Sequence, residues 1–166
     1  MIREFKSITP QIHETAFIAP NSTVIGNVVI GANSAVWYNA VLRGDIDSIV
    51  VGDNTNIQEG CILHCKKGEG LKIGSNVTVG HGAILHSCKV GNNTLIGMGA
   101  IVLDNAEIGN NCLVAAGSVV TSKTKIPDCS LIAGSPAVVK RVLSEQEILN
   151  IENNANEYVS LLKLYK

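Results

Sequence analysis

Three of the four histidines in this 166-residue chain, His64, His81 and His86, fall within one short stretch of the sequence. Imidazole is a general base near neutral pH and a common ligand of zinc, so the cluster could serve either chemistry. The choice depends on whether the fold brings the rings together. The fourth histidine, His13, lies far from the others along the chain, and we assign it no role.

Aliphatic residues recur every six positions, and this repeat must position the histidines. A helix repeats every 3.6 residues and a half-buried strand alternates by two, so a six-residue period fits neither element. It is typical of an all-β solenoid, a parallel β-helix in which three hexads make one coil, with about seven coils over residues 11–138. The residue four after each aliphatic anchor is mostly small or a thiol, so both should point inward, with Gly or Asn at many turns. The predicted inward anchors are Ile12, Ile18, Val24, Ile30, Val36, Leu42, Val51, Ile57, Leu63, Ile73, Val79, Leu85, Val90, Ile96, Val102, Ile108, Val114, Val120, Ile126, Ile132 and Val138.

On one face of this solenoid, the residues that follow the anchors form an outward ladder. Its consecutive rungs are Ile25, Arg43, His64, His86 and Leu103. Rungs on neighbouring coils lie ~4.8 Å apart, as in paired strands, so the two imidazoles can converge on one metal ion.

His81 is predicted at the corner that leads to the face of His86. The five residue steps from one to the other span up to ~16 Å, too far for both rings to reach one ion. A neighbouring copy packed on this face could supply its own His81, and symmetry makes a closed trimer with three equivalent sites the natural assembly. The predicted metal ligands are therefore His64 and His86 of one chain and His81 of the next, with water in the remaining position of a zinc ion.

The composition excludes several partners. The net charge is −1, so nothing indicates nucleic acid, and no apolar run approaches the ~20 residues of a membrane span. Hydrophobic residues reach 46% while aromatic residues are 4%, which suits a sheet of small aliphatic side chains. The five cysteines form no Cys-x-x-Cys pair and no signal peptide precedes them, so we expect reduced thiols in a cytoplasmic protein.

A helical pattern replaces the six-residue period after Val138. Ser144 and Glu147 have the spacing of a capping box at a helix start. An apolar stripe follows, which predicts a helix packed on the solenoid or on a neighbouring subunit: Ile148, Ile151, Ala155, Tyr158, Leu162 and Tyr165. We divide the chain into a β-helix domain with a short N-terminal lead-in, residues 1–140, and a C-terminal α-helix, residues 141–166.

The repeat resembles the left-handed parallel β-helix of the hexapeptide-repeat family. The left-handed winding is implied by this resemblance, because strand crossovers are usually right-handed. Residues 39–45 (NAVLRGD), 56–64 (NIQEGCILH) and 80–86 (GHGAILH) resemble the gamma-class carbonic anhydrases, and the match extends over almost the whole chain.

Members of that class bind Zn²⁺, or another divalent metal such as Fe²⁺ or Co²⁺, through three such histidines between the subunits of a homotrimer. The resemblance thus implies that zinc-bound hydroxide hydrates carbon dioxide to bicarbonate, because three neutral imidazoles let the metal lower the pKa of its water to ~7. It also implies an inter-subunit ion pair of Arg43 with Asp45, although an exposed pair that contributes little would show the same residues.

Three residues are candidates for catalytic roles, two of them through the resemblance and Glu59 through its position in the repeat, where the family has aspartate. Gln58 matches a polar residue near the metal-bound water. Glu59 lies one coil before His81 in the same phase, so it could orient that ring, or it could be a solvated acid. Tyr158 resembles a tyrosine that some members bring to the site from the terminal helix, although its place in the apolar stripe also suits core packing.

The stretch after His64 departs from the prototype members. Register slips follow Leu42, Leu63 and Leu85, all on the face of the histidine ladder. The second slip contains a short basic loop, residues 65–70. Prototype members carry an acidic loop here, with a glutamate that shuttles protons to solvent. In this chain Glu69 is the remaining candidate for that shuttle. Near the histidines, Cys65 and Cys88 could ligate a metal, oxidise to a pair, or be incidental thiols.

Two other functions fit the same fold. A hexapeptide acyltransferase would use one histidine as a general base and bind coenzyme A between subunits, and residues 134–137 (GSPA) resemble a motif of that group. That function needs one histidine, however, and the chain has no long excursion to shape an acceptor pocket. The third alternative is a non-catalytic metal-binding trimer in which the ion stabilises the interface.

Overall fold

The computed structural model describes residues 1–165 and shows a parallel β-solenoid of about seven turns followed by one helix. The coils wind left-handed, as the resemblance implied. In chain order the elements are β1 (Ile2–Arg3), β2 (Gln11–Ile12), β3 (Phe17–Ile18), β4 (Thr23–Ile30), β5 (Ala35–Val36), β6 (Val41–Val51), β7 (Asn56–Ile57), β8 (Ile62–His64), β9 (Leu71–Ile73), β10 (Thr78–Val79), β11 (Ile84–His86), β12 (Lys89–Val90), β13 (Leu95–Ile96), β14 (Ile101–Val102), β15 (Glu107–Ile108), β16 (Leu113–Val114), β17 (Val119–Val120), β18 (Lys125–Ile126), β19 (Ser130–Gly134), β20 (Ala137–Val142) and α1 (Glu145–Leu162).

The solenoid is a three-sided prism. The histidine face contains β4, β6, β8, β11, β14 and β17, and the helix face contains β3, β5, β7, β10, β13, β16 and β19. The third face contains β2, β9, β12, β15 and β18, together with the later parts of β4 and β6. Strands β4 and β6 are long enough to turn the corner between two faces, so the slip after Leu42 forms continuous strand rather than a separate loop.

The side chains that recur every six residues point into the core of the solenoid. Every predicted anchor from Val24 to Ile132 is buried, and the small or thiol residues four positions later are buried with them. The first two predicted anchors, Ile12 and Ile18, are only partly buried against this core. Val138, also predicted as an anchor, is 51% exposed, because β20 turns back and pairs antiparallel with β19 instead of starting another face.

Asparagines and glycines turn the corners. Asn54, Asn76 and Asn93 have φ of 52°, 56° and 51°, a left-handed conformation that asparagine adopts more readily than most residues. Their amides also form a ladder: Asn54 Nδ2 donates to Asn76 Oδ1 at 3.0 Å, and Asn76 Nδ2 donates to Asn93 Oδ1 at 3.0 Å. The ladder holds successive coils in register at this corner.

Helix α1 begins with the predicted capping box, in which the Ser144 hydroxyl accepts from Glu147 N–H and the Glu147 carboxylate accepts from Ser144 N–H. The helix packs on β5, β7 and β10 of its own chain, where Ile151, Ala155 and Leu162 are buried. It ends at Leu162, so Tyr165, predicted on the stripe, lies beyond the helix, and residue 166 lies outside the described residues. Through residue 165, the structure contains no helix with the length and apolar character needed to cross a membrane.

Candidate metal centre

The histidine ladder forms in the predicted register. The strand pairing sets Arg43 beside His64 and His64 beside His86, on β6, β8 and β11. The two ring centroids are 5.1 Å apart. The anchors Leu42, Leu63 and Leu85 pair in the same register, which keeps these outward rungs aligned from coil to coil.

Each of the two rings contacts a carboxylate with one nitrogen. His64 Nε2 lies 3.1 Å from Asp45 Oδ1, and His86 Nδ1 contacts Asp104 Oδ1. Because an ionised carboxylate only accepts hydrogen bonds, these two ring nitrogens carry the hydrogens. The remaining nitrogens, His64 Nδ1 and His86 Nε2, face each other 3.1 Å apart, and when both rings are neutral their lone pairs point at each other. Two facing lone pairs repel each other unless they share a cation, so the arrangement suits a positive ion.

The carboxylates are held in turn by two cations. Arg43 binds the second oxygen of Asp45 at 2.6 Å, and Lys66 binds the second oxygen of Asp104 at 3.2 Å. Hydrogen bonds from His86 and Lys66 lower the pKa of Asp104. Burial raises the pKa of Asp45, but hydrogen bonds from Arg43 and His64 outweigh it and leave the pKa lowered. Both acids are therefore ionised at neutral pH.

Burial and the neighbouring charge of Arg43 lower the pKa of His64, despite the opposing hydrogen bond to Asp45. The ring is neutral at neutral pH, which is the form that binds metals. The Arg43–Asp45 pair lies within one chain. Its predicted role across a subunit interface remains a prediction.

His81 lies apart from this pair, at the corner between β10 and β11. Its Nδ1 contacts Glu59 Oε2 at 2.7 Å, so the predicted orienting contact of Glu59 is present. Gln58 Oε1 accepts a hydrogen bond from the His81 backbone N–H at 3.1 Å, so a residue of the preceding coil holds this corner in place. Within residues 1–165 of one chain, no three side chains of His, Cys, Asp or Glu converge as a metal-ligand set.

A cavity of ≈ 310 Å³ opens beside His81, between α1 and the helix face. Gln58, Met98, Asn154 and Tyr158 also line it. Burial raises the pKa of the Tyr158 phenol and outweighs the opposing influence of the nearby Gln58 amide, so the hydroxyl stays protonated. Its ring also packs on Trp37 at 6.0 Å between centroids, so Tyr158 belongs to both the cavity wall and the aromatic core.

The basic loop closes over the far side of the histidine pair. Lys66 contacts Glu69 at 2.9 Å as well as Asp104, and Glu69 accepts a hydrogen bond from Asn105 at 2.7 Å. Asp104 was not among the sequence candidates, although it lies two residues after the anchor Val102, one coil beyond His86. Leu103 is already a rung of the predicted ladder, so asking which residue follows it would have identified Asp104.

The cysteines do not join the site. Cys65 and Cys88 are free thiols buried in the core, among the aliphatic anchors. Burial raises the pKa of Cys65 and raises that of Cys88 to about 12, so both remain protonated. Of the three interpretations of this pair, the structure favours incidental thiols.

Comparisons with known proteins agree with the fold and indicate the family. The family model described as bacterial transferase hexapeptide (six repeats) matches residues 9–44 and 87–122. A protein named carbonic anhydrase from Geobacillus kaustophilus is 51% identical over 166 residues, which is 100% of this chain and 91% of the relative. Gamma carbonic anhydrase 2, mitochondrial, from Arabidopsis thaliana is 41% identical over 163 residues, 95% of this chain and 59% of the relative. The crystal structure of a hexapeptide transferase family protein from Anaplasma phagocytophilum matches with a TM-score of 0.95 at 40% identity, covering 100% of this chain and 98% of the other.

Proposed function

The chain belongs to the gamma-class carbonic anhydrase-like proteins of the hexapeptide-repeat family, and from this premise we propose that it is a metal-dependent hydratase. In the proposal, a homotrimer holds one Zn²⁺ at each subunit interface and converts carbon dioxide to bicarbonate. The free thiols at all five cysteines support a cytoplasmic location, which is part of the same proposal.

The observation that carries the proposal is the pair of facing ring nitrogens. His64 Nδ1 and His86 Nε2 are 3.1 Å apart. Two nitrogens at ~2.0–2.1 Å from one tetrahedral ion are separated by ~3.3 Å, so the pair fits a zinc ion with little adjustment. An acyltransferase base needs a single imidazole next to an acceptor group, and it gains nothing from a second ring in this position.

His81 is proposed as the third ligand, supplied by a neighbouring subunit. Its Nδ1 is engaged by Glu59, which leaves Nε2 free to bind, and its side chain is 44% exposed at a corner of the prism. All three proposed ligands thus have the same arrangement, with one nitrogen on a carboxylate and the other available. Such carboxylate contacts set the tautomer and orientation of metal-binding histidines.

When bound, a divalent metal at three neutral imidazoles supplies a water that loses its proton near neutral pH. The chain's own residues would then place the substrate and guide the proton. Gln58 carries an amide at the cavity wall beside His81 and keeps one hydrogen of its amide nitrogen free of its 3.1 Å bond to Asn56. Tyr158 lines the same cavity wall as Gln58, and Glu59 keeps His81 in place.

The test is metal analysis, combined with a carbon dioxide hydration assay, on protein purified without chelators. We expect about one divalent metal per chain and measurable hydration. His86→Ala should lose most of the bound metal while keeping the β-helix circular dichroism spectrum, and His13→Ala is the matched control that should keep its metal. Stoichiometric metal in His86→Ala would contradict the ligand assignment, and coenzyme A binding without metal would favour an acyltransferase.

A further inference from the structure

The His86 side of the centre contains a chain of contacts that the sequence did not predict. Asp104 uses Oδ1 for His86 Nδ1 and Oδ2 for Lys66 Nζ, so both carboxylate oxygens are engaged. The His64 side has the same order of groups, with Asp45 between the ring and Arg43. Each ring is therefore backed by a carboxylate, and each carboxylate by a cation.

Hydrogen bonds to its backbone hold the loop that carries Lys66 in place. The Ser87 hydroxyl donates to the Glu69 carbonyl at 2.6 Å and accepts from Lys66 N–H at 2.8 Å. Asp47 Oδ2 accepts from Gly68 N–H at 2.8 Å. Because Ser87 directly follows His86, the loop is fastened to the same strand end that carries the ring. The position of Lys66 is thus coupled to the position of His86.

An ordinary surface ion pair looks different in this molecule. On the third face, Glu107 lies 3.4 Å from Lys89 and 3.8 Å from Lys125, and both lysines are more than two-thirds exposed. Isolated pairs of that kind contribute little. Asp104 is 28% exposed and its contacts reach a histidine, so it is arranged to direct a ring rather than to balance a surface charge.

We propose that Asp104 is a positioning residue that holds His86 with Nε2 directed toward His64, and that the loop of residues 65–70 serves the metal centre by bringing Lys66 to Asp104. The inference rests on the proposed function only in taking His86 as a ligand. It assigns the short basic loop a role as a support of the site, in place of the proton-shuttling role of an acidic loop.

The test begins with metal-free protein, so that the ring itself is observed. The chain has four histidines, which makes ¹⁵N-histidine spectra simple to assign with single substitutions. At mildly alkaline pH, His86 should carry its hydrogen on Nδ1 in the wild type. Asp104→Ala should shift His86 toward the Nε2–H tautomer while His64, backed by Asp45, keeps its spectrum. Asp104→Asn keeps an acceptor oxygen and should retain the Nδ1–H form.

The second readout is zinc affinity, measured by competition with a chromophoric chelator. Loss of an orienting partner of a metal-bound histidine weakens binding by about 10–100-fold, which we expect for Asp104→Ala. Asp104→Asn should recover part of that loss, and Lys66→Met should weaken binding by less than Asp104→Ala. Glu107→Ala removes an exposed carboxylate that pairs with lysines but with no histidine, and it should leave both readouts unchanged.

An unchanged His86 tautomer in Asp104→Ala would overturn the inference, and so would equal losses of affinity in Asp104→Ala and Asp104→Asn. Wild-type protein that binds no zinc would instead overturn the proposed function, while the spectra of metal-free protein would still decide the role of Asp104. Thermal unfolding of each variant separates these outcomes from misfolding, and Lys66→Met, altered only at an exposed side chain, keeps the inference testable if Asp104→Ala does not fold.

Discussion

Three histidines in this protein share a local arrangement that the fourth lacks. His64, His86 and His81 each direct one ring nitrogen at a carboxylate, whereas His13 Nδ1 contacts Thr15 through its hydroxyl at 2.9 Å and through its backbone N–H. A carboxylate raises the basicity of the opposite ring nitrogen and fixes its direction. The residue types near each ring therefore distinguish the proposed ligands from a surface histidine.

For Tyr158, the sequence left a choice between core packing and a place in the site. The structure supports both, because its ring packs on Trp37 and its side chain lines the cavity. Tyr158→Phe removes the hydroxyl group that Tyr158 brings to the cavity wall near Gln58 and leaves the ring packing intact. A hydrogen bond contributes ~0.5–1.5 kcal/mol, so kcat/KM for hydration should fall by up to about tenfold with bound metal unchanged. Tyr38→Phe, in the same aromatic cluster but outside the cavity wall, is the control. Equal activity in both variants would assign Tyr158 to packing alone.

At the scale of the element, the corners decide the shape. Straight strands of two or three residues can build a prism only if the chain changes direction sharply at every corner, and a left-handed residue does this in one step. At one corner the asparagine ladder also adds a hydrogen bond between successive coils. One residue type thus supplies both the turn and the contact between neighbouring coils.

Asn76 allows these two contributions to be separated. Asn76→Ala places a β-carbon at φ 56°, which costs ~1–2 kcal/mol, and removes two ladder hydrogen bonds worth ~0.5–1.5 kcal/mol each. The free energy of unfolding should fall by ~2–5 kcal/mol in urea titrations. Asn76→Gly loses the same two bonds but not the conformational fit, so its loss should be smaller by ~1 kcal/mol. Equal losses in the two variants would mean that the left-handed turn contributes nothing.

At the scale of the whole molecule, the proposed site needs a ligand from a second chain. The described residues of one chain bring His64 and His86 together and leave His81 at a corner of the prism. A cyclic trimer would place each corner against the histidine face of the next subunit, and it would repeat the site three times. The proposal therefore predicts that no single chain holds a complete metal centre.

Mixed trimers test that prediction. His81→Ala and His64→Ala chains should each bind little metal alone, because every site lacks one ligand. After unfolding and refolding of an equimolar mixture, about one quarter of the sites combine an intact His64–His86 pair with an intact His81, so about one quarter of the wild-type metal should return. His64→Ala mixed with His86→Ala is the control, since one chain supplies both residues and no site can be rebuilt. The arrangement would be refuted if the test mixture recovered no metal, or if the control mixture recovered as much as the test mixture.

Much of the fold follows from the sequence because the repeat is short, local and exact enough to count. Six-residue spacing placed the anchors from Val24 to Ile132 inside, and the rung after each anchor placed Arg43, His64 and His86 on neighbouring strands. Ser144 and Glu147 marked the helix start because a capping box is a contact between residues three apart. Val138 failed because nothing in the period signals that the chain will reverse and pair with the strand before it.

Tertiary structure alone decided which groups surround the histidines. Asp104 and Lys66 are 38 residues apart in the printed sequence, and they meet at His86 because the inserted loop folds back over the next coil. A periodic pattern fixes the direction of each side chain relative to the axis, but an insertion breaks the pattern and its path depends on the contacts that it finds. The sequence by itself determined that two imidazoles lie on adjacent rungs. The tertiary structure decided which ring nitrogens point at carboxylates and which remain free to bind, because those contacts join segments with no local relation to each other.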